Sequence, residues 1–246
     1  MTNLDPICAA EPSKIREMFA AIVGRYDLNN RLHSLWRDQA WRQAAAKAAM
    51  QPPPAAVLDV ACGTGDLTAM LARKGAARVV GADFCPPMIQ RAREKFPRLP
   101  IEWVEADAMA LPFGAGEFDV VTTAFGLRNL PQPGAALREF ARVLKPGGRL
   151  VVLDFRGGER PGLAGRLLSF YTDRLMPLTA AWIARDRGGA YDYLHRSILT
   201  FWSDADLGRE LLAAGFASAS VRTMTLGLAM LAVGVKDRTI ASTVHT

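Results

Sequence analysis

Cysteine is scarce in this chain. Its three copies, Cys8, Cys62 and Cys85, form no C-x-x-C pair and show no metal-ligand spacing. Neither a disulfide scaffold nor a thiolate metal site is expected, and no metal is assigned. A reducing, cytoplasmic setting fits. Long hydrophobic runs are lacking too. The longest candidate, 163–184, is broken by Arg166, Asp173, Arg174 and Pro177, whereas a membrane-crossing helix needs ~20 apolar residues. No secretory leader is expected, because the N-terminus carries Asp5 and Pro6 where an apolar core would be. There is no Lys/Arg block either. The formal charge of +6 is spread among residues of both signs, so nucleic acid is not an expected partner. The basic balance still permits contact with an anionic surface. A length of 246 residues, 50% of them hydrophobic, supports one α/β domain with additions.

A further absence concerns the ligand. Residues 57–66 read Val-Leu-Asp-Val-Ala-Cys-Gly-Thr-Gly-Asp. The apolar run from Val57 to Val60 predicts a buried strand. Gly63 and Gly65 form a turn in which backbone can approach a ligand closely. A helix is expected from Leu67 to Arg73, closed by Gly75. Strand, glycine turn and helix open a nucleotide-binding βαβ unit. The third glycine of a dinucleotide fingerprint is replaced by Thr68, and Asp66 stands at the helix start, where it would repel a pyrophosphate. A cationic ligand without phosphate suits this turn, flanked as it is by Asp59 and Asp66. S-adenosylmethionine, with its sulfonium and ammonium, is such a ligand. Asp83 ends the second expected strand at the ~20-residue spacing of an acid that holds ribose hydroxyls. Asp107 follows the third, from Ile101 to Val104, where it could accept a hydrogen bond from an adenine amino group. Cys62 is read as a small residue tolerated in the tight turn.

Strands and helices then alternate, the pattern of a parallel sheet covered on both faces. A helix is expected from Pro86 to about Phe96, a strand from Phe118 to Thr123, a helix from Ala135 to Leu144 and a strand from Arg149 to Phe155. Ser203 and Asp206 have capping-box spacing for a helix ending before Gly215. Val221–Leu226 and Leu228–Val235 are expected to pair as strands around Gly227. The organisation read from this is a single domain: a helical cap over 1–50, a donor-binding core over 55–155, a lid with the acceptor pocket over 156–202, a helix and strand pair over 203–236, and a tail over 237–246.

From about Phe19 to Lys236 the chain resembles the C-methyltransferases of menaquinone and ubiquinone biosynthesis. The resemblance is carried by Arg25-Tyr26-Asp27-Leu28-Asn29-Asn30, the Ala61–Thr68 loop, Ala108-Met109-Ala110-Leu111-Pro112-Phe113, Phe125-Gly126-Leu127-Arg128-Asn129, Arg142 to Gly148, and Tyr191-Asp192-Tyr193-Leu194 with Ser197-Ile198. The glycine loop, Leu-Pro-Phe and Lys-Pro-Gly-Gly are shared by many methyltransferases and specify fold and donor. The Tyr-Asp, Phe-Gly-Leu-Arg-Asn and Tyr-x-Tyr-Leu stretches are narrower and specify the quinol. The fold implied is Rossmann-like: a class I methyltransferase with a mostly parallel seven-stranded sheet. Ala124 stands where such enzymes often have Ser, Trp36 near a usual small residue, and Ala232 where His is frequent.

The resemblance implies S-adenosylmethionine as cofactor, contacted by Asp59, Ala61, Gly63, Thr64, Gly65, Asp83, Phe84, Met88, Asp107, Ala108 and Ala124. The implied substrate is a polyprenylated quinol, most readily demethylmenaquinol; the alternatives are another small or lipid acceptor, such as a benzoquinol precursor, a phenol or a sterol, and a donor-binding protein without catalysis. A homodimer and a reversible contact at the inner face of the membrane are further expectations. A quinol carbon becomes nucleophilic when a ring hydroxyl of pKa ~10 ionises. Arg128, with Asn129, is placed to stabilise that charge or to orient a water. Tyr26 and Asp27 are placed to complete the pocket, Asp27 as a proton acceptor. His33 and His195 are read as structural. The apolar side chains between Leu163 and Leu178 are candidates for a prenyl groove.

Overall fold

The computed structural model describes residues 12–34, 36–158 and 190–238. Three helices come first: α1 (Pro12–Ile22), α2 (Tyr26–His33) and α3 (Asp38–Ala49). The alternating unit follows, with β1 (Ala56–Val60), α4 (Asp66–Arg73), β2 (Arg78–Asp83), α5 (Pro86–Lys95), β3 (Ile101–Glu105), β4 (Phe118–Ala124), α6 (Pro133–Val143) and β5 (Leu144–Phe155). The chain resumes with α7 (Ala190–Thr200), α8 (Asp204–Ala213), β6 (Phe216–Met224) and β7 (Ala229–Lys236). The seven strands form one sheet in the order β3-β2-β1-β4-β5-β7-β6. The first five are mutually parallel, and β7 runs antiparallel to both β5 and β6.

Strand alternation divides the core. Leu58, Val121, Leu150 and Val152 face one side with Leu137 and Phe140 of α6 and Leu207 and Leu211 of α8. Val57, Val120, Val151 and Leu153 face the other with Trp41 and Ala45 of α3 and Leu67 and Leu71 of α4. A strand covered on both faces must be apolar throughout, which is why every residue of β1 is buried. Its one acid, Asp59, is satisfied inside: Thr68 Oγ1 donates to it at 2.6 Å and Thr122 Oγ1 at 2.7 Å.

Two expected boundaries shift by five residues, the others by two at most. β5 begins at Leu144, not Arg149, because Leu144 pairs with Phe118 across an irregularity before the regular ladder starts at Val120. Gly148 permits this passage: a Cβ there would lie 3.0 Å from the Asp119 carbonyl oxygen. β6 begins at Phe216, five residues before the expected Val221. Its Ala-Ser-Ala-Ser run reads poorly as strand, yet it pairs along β7 as an edge whose side chains are mostly solvent-facing. The capping box at Ser203 forms as expected, with Ser203 Oγ accepting from Asp206 N. The candidate prenyl-groove side chains lie outside the described residues, as do the side chains of His33 and His195.

Candidate active site

Beyond Val60 the backbone turns through Ala61 (φ 53°), Gly63 (φ 56°) and Gly65 (φ 83°). The two glycines serve different ends. A Cβ on Gly65 would collide with the Trp103 ring and lie 3.3 Å from Ala92 Cβ, so this position is about packing. Gly63 opens toward Tyr26, whose Cε1 would be 3.6 Å from a Cβ at that position. Across the switch point between β1 and β4, Phe125 also has positive φ (62°). A Cβ on Gly126 would come within 2.5 Å of Ala61 Cβ. Ala61 and Phe125 are thus two non-glycine residues held in the left-handed region at adjoining strand ends, where backbone strain tends to accompany a site.

These ends border a cavity of about 540 Å³, within the ~300–1,000 Å³ of small-molecule sites. Nine expected residues line it: Tyr26, Ala61, Gly63, Asp83, Phe84, Met88, Asp107, Ala108 and Asn129. Asp83 accepts the N–H of Gly63 at 2.8 Å and that of Cys85 at 3.0 Å. Burial pushes its carboxyl up to about 6, against the opposing backbone N–H donors. Asp107 accepts the Met109 N–H at 2.8 Å. A carboxylate has about four lone-pair sites, so both acids keep acceptor capacity for a ligand. Asn129 donates Nδ2 to the Phe125 carbonyl at 3.0 Å, while its buried Oδ1 has no partner. Among the described residues the charged lining is Asp83, Glu105 and Asp107 against one arginine, Arg16. That balance, with Phe84 and Met88 as apolar walls, fits the cationic, phosphate-free S-adenosylmethionine.

Six expected residues stand behind this wall. Asp59 is closed on its two threonines, and burial pushes it up to about 6. Gly65 packs on Trp103. Ala124 lies in the core. Thr64 donates Oγ1 to Asp27 at 2.6 Å. The other oxygen of Asp27 accepts from Lys95 Nζ at 2.5 Å, and Asp27 is not among the described residues that line the cavity. Arg128 donates to the Phe125 carbonyl at 2.6 Å and to Asp154 at 2.7 Å; it is a buried residue that joins the cavity residue Phe125 to β5. The reading of Asp66 as a ligand-facing acid is corrected likewise. It accepts from Lys95 Nζ at 2.6 Å. Burial alone would raise its carboxyl, but the Lys95 hydrogen bond and Arg42 hold it below the usual range. Cys62 is buried and its thiol pushed well up, first by desolvation and then by Asp83 and Asp59, as befits a filler.

Lys95 and Asp154 were not anticipated; each matters only through a distant partner, and nothing local marks them. Ile15, Arg16 and Phe19 of α1 also line the cavity. Ile15 and Phe19 have the four-residue spacing of one helix face, a signal that was available.

The sheet order, the glycine turn and the acids at the ends of β2 and beyond β3 define a class I S-adenosylmethionine-dependent methyltransferase. A SAM-dependent methyltransferase from Thermotoga maritima superposes with a TM-score of 0.64 at 20% identity, covering 91% of this chain and 100% of that one. At the level of sequence, residues 8–236 match the ubiE/COQ5 methyltransferase family, and the chain belongs to it. A demethylmenaquinone methyltransferase of Thermus thermophilus is 44% identical over 220 residues, covering 88% of this chain and 99% of the relative. The ubiquinone/menaquinone biosynthesis C-methyltransferase UbiE of Geobacter sulfurreducens is 38% identical over 229 residues, covering 91% and 88%.

Proposed function

We propose that this enzyme transfers the methyl group of S-adenosylmethionine to a ring carbon of demethylmenaquinol, giving menaquinol. The observation that carries the reading is the 44% identity over 99% of a relative named for that reaction, joined to a cavity whose acids suit the donor. When bound, the donor supplies an electrophilic methyl on sulfur. Asp83 is assigned the ribose hydroxyls and Asp107 the adenine edge, with Phe84 and Met88 packing against the base. Asn129 Oδ1 is the acceptor left for a ligand N–H or O–H.

Methyl transfer to carbon also releases one net proton: the hydroxyl gives up its proton before attack, and on rearomatisation the methylated ring carbon loses its hydrogen while the ring oxygen is reprotonated. Tyr26 is pushed above its ordinary value by burial, against the pull of Arg42, so it keeps its proton at neutral pH. It is assigned as a hydrogen-bond donor to the developing quinolate rather than as a base. The proton itself leaves to water, since Asp27 is not among the described residues that line the cavity. Holding acceptor and donor in attack geometry is worth ~7–11 kcal/mol of barrier in well-oriented systems.

A benzoquinol precursor is the second acceptor to test, because the Geobacter sulfurreducens relative is named for both quinones. We also assign a reversible membrane contact, suited to a prenylated substrate. Trp36 and Leu226 support it: they are 58% and 78% exposed, both at positive φ. The Trp41–Thr225 hydrogen bond of 2.9 Å ties α3, which Trp36 precedes, to the turn that holds Leu226. No described helix is long and apolar enough to cross a bilayer.

The test is transfer of labelled methyl from S-adenosylmethionine to reduced demethylmenaquinone with a short prenyl tail, with NMR assignment of the new methyl. Ring-carbon product establishes the reading. Donor binding without product on either quinol would sink it. Sedimentation with anionic liposomes tests the membrane contact, and no binding with or without quinone counts against it.

A further inference from the structure

Lys95, the last residue of α5, joins two segments that are distant in sequence, α2 and the stretch that leads from the glycine loop into α4. Its ammonium lies 2.5 Å from Asp27 in α2, 2.6 Å from Asp66 at the start of α4, and 3.4 Å from the hydroxyl of Thr64 in the glycine loop. Asp66 also accepts from Gln39 of α3 at 3.4 Å. The two carboxylates share one cation, and the Lys95 side chain is only 20% exposed, so solvent screens the cluster less than a surface pair. Next to Asp27 is Tyr26, whose ring faces Gly63 and forms a cavity wall. The acid expected to meet a cationic ligand has instead a cation supplied by the chain.

We propose that Lys95 is a positioning residue that seats the N-terminal cap on the donor loop. It neutralises Asp27 and Asp66, which would otherwise repel each other, and so holds Tyr26 over Gly63. This rests on the proposed use of the cavity by S-adenosylmethionine. Removing the ammonium leaves two partly buried like charges facing each other, so the cap lifts and the donor side of the cavity opens.

The test uses the full chain in four forms: wild type, Lys95→Met, Lys95→Arg, and Lys95→Met with Asp27→Asn. Calorimetry measures S-adenosylmethionine affinity, and hydrogen exchange follows the α2 amides without ligand. Lys95→Met is expected to weaken binding about tenfold or more, the scale of a lost charged hydrogen bond, and to speed α2 exchange. Lys95→Arg restores most of both. The double variant recovers part of both, because one repelling charge is gone; a merely structural contact would lose further. Equal affinity and equal exchange in Lys95→Met overturn the inference, as does a double variant worse than the single. Should Lys95→Met not fold, Lys95→Gln takes its place. If the wild type itself fails to bind the donor, the functional reading fails, and the ligand-free exchange comparison still decides the role of Lys95.

Discussion

The carboxylate of Asp83 accepts the backbone N–H of Gly63 at 2.8 Å, tying the end of β2 to the turn that follows β1. One side chain therefore shapes the glycine loop and lines the cavity. Asp83→Ala would strand the N–H groups of Gly63 and Cys85, each orphan costing ~1–3 kcal/mol. Urea unfolding should show that loss, and calorimetry should show donor affinity falling about 100-fold, the combined scale of two charge-assisted hydrogen bonds. A stability change below about 0.5 kcal/mol would refute the first half of this reading.

Proton linkage separates stability from binding here. Burial raises Asp83 and Asp59 from 3.8 to about 6. The folded state therefore binds more protons than the unfolded one between those values, and these two groups make folding less favourable as pH rises through that window. Donor binding has the opposite sign, because the ionised Asp83 is the better acceptor. Affinity should be level above about pH 7 and weaken as pH falls through about 6. Calorimetry across that range, with Asp83→Asn as the flattened control, checks this; an equally steep profile in the variant would assign the titration elsewhere.

Gly126→Ala places a methyl 2.5 Å from Ala61 Cβ and 3.0 Å from Thr123 Oγ1. Neither neighbour is a flexible tip, so the strand ends must separate, at ~1–3 kcal/mol. Thermal melting should fall accordingly and donor affinity with it. An unchanged melting temperature would show that the switch point is more compliant than its contacts indicate.

Arg128 and Asp154 form an ion pair of 2.7 Å with side chains 6% and 0% exposed. Asp154→Ala leaves a buried cation, and the expected loss is ~3–5 kcal/mol. Replacing the pair together, with Asp154→Leu and Arg128→Met, should be less destabilising than the single change. Denaturation midpoints of the two variants decide it, and a double variant less stable than the single would contradict the desolvation argument.

Tyr26 supplies both a wall and a hydroxyl. Tyr26→Phe keeps the ring over Gly63, so donor affinity should hold while turnover falls ~10–100-fold, the scale of one lost donor at a developing oxyanion. Tyr26→Ala should lose both. Steady-state KM and kcat for the two variants give the split; a raised donor KM in Tyr26→Phe with normal kcat would return the hydroxyl to a binding role.

The fold was largely legible because its signals are local. The apolar run at 57–60, the glycine turn and the capping box at Ser203 each act within a few residues. β6 was foreshortened because its Ala-Ser-Ala-Ser run is held by β7 across the ladder rather than by its own preference. At the site, the acids at strand ends could be read because topology places them. Asp27, Thr64 and Arg128 were credited with facing the ligand, yet each found a nearer partner inside the protein. Partner choice is a tertiary property, and neither Lys95 nor Asp154 lies close in sequence to the group it holds.

Every described residue lining the cavity falls between Ile15 and Pro131. β5, β6, β7 and the segments around them contribute no wall to it among the described residues. Changes in these strands can therefore accumulate without altering any described wall of the cavity. A chimaera of two relatives joined after residue 155 should inherit its donor affinity from the first parent.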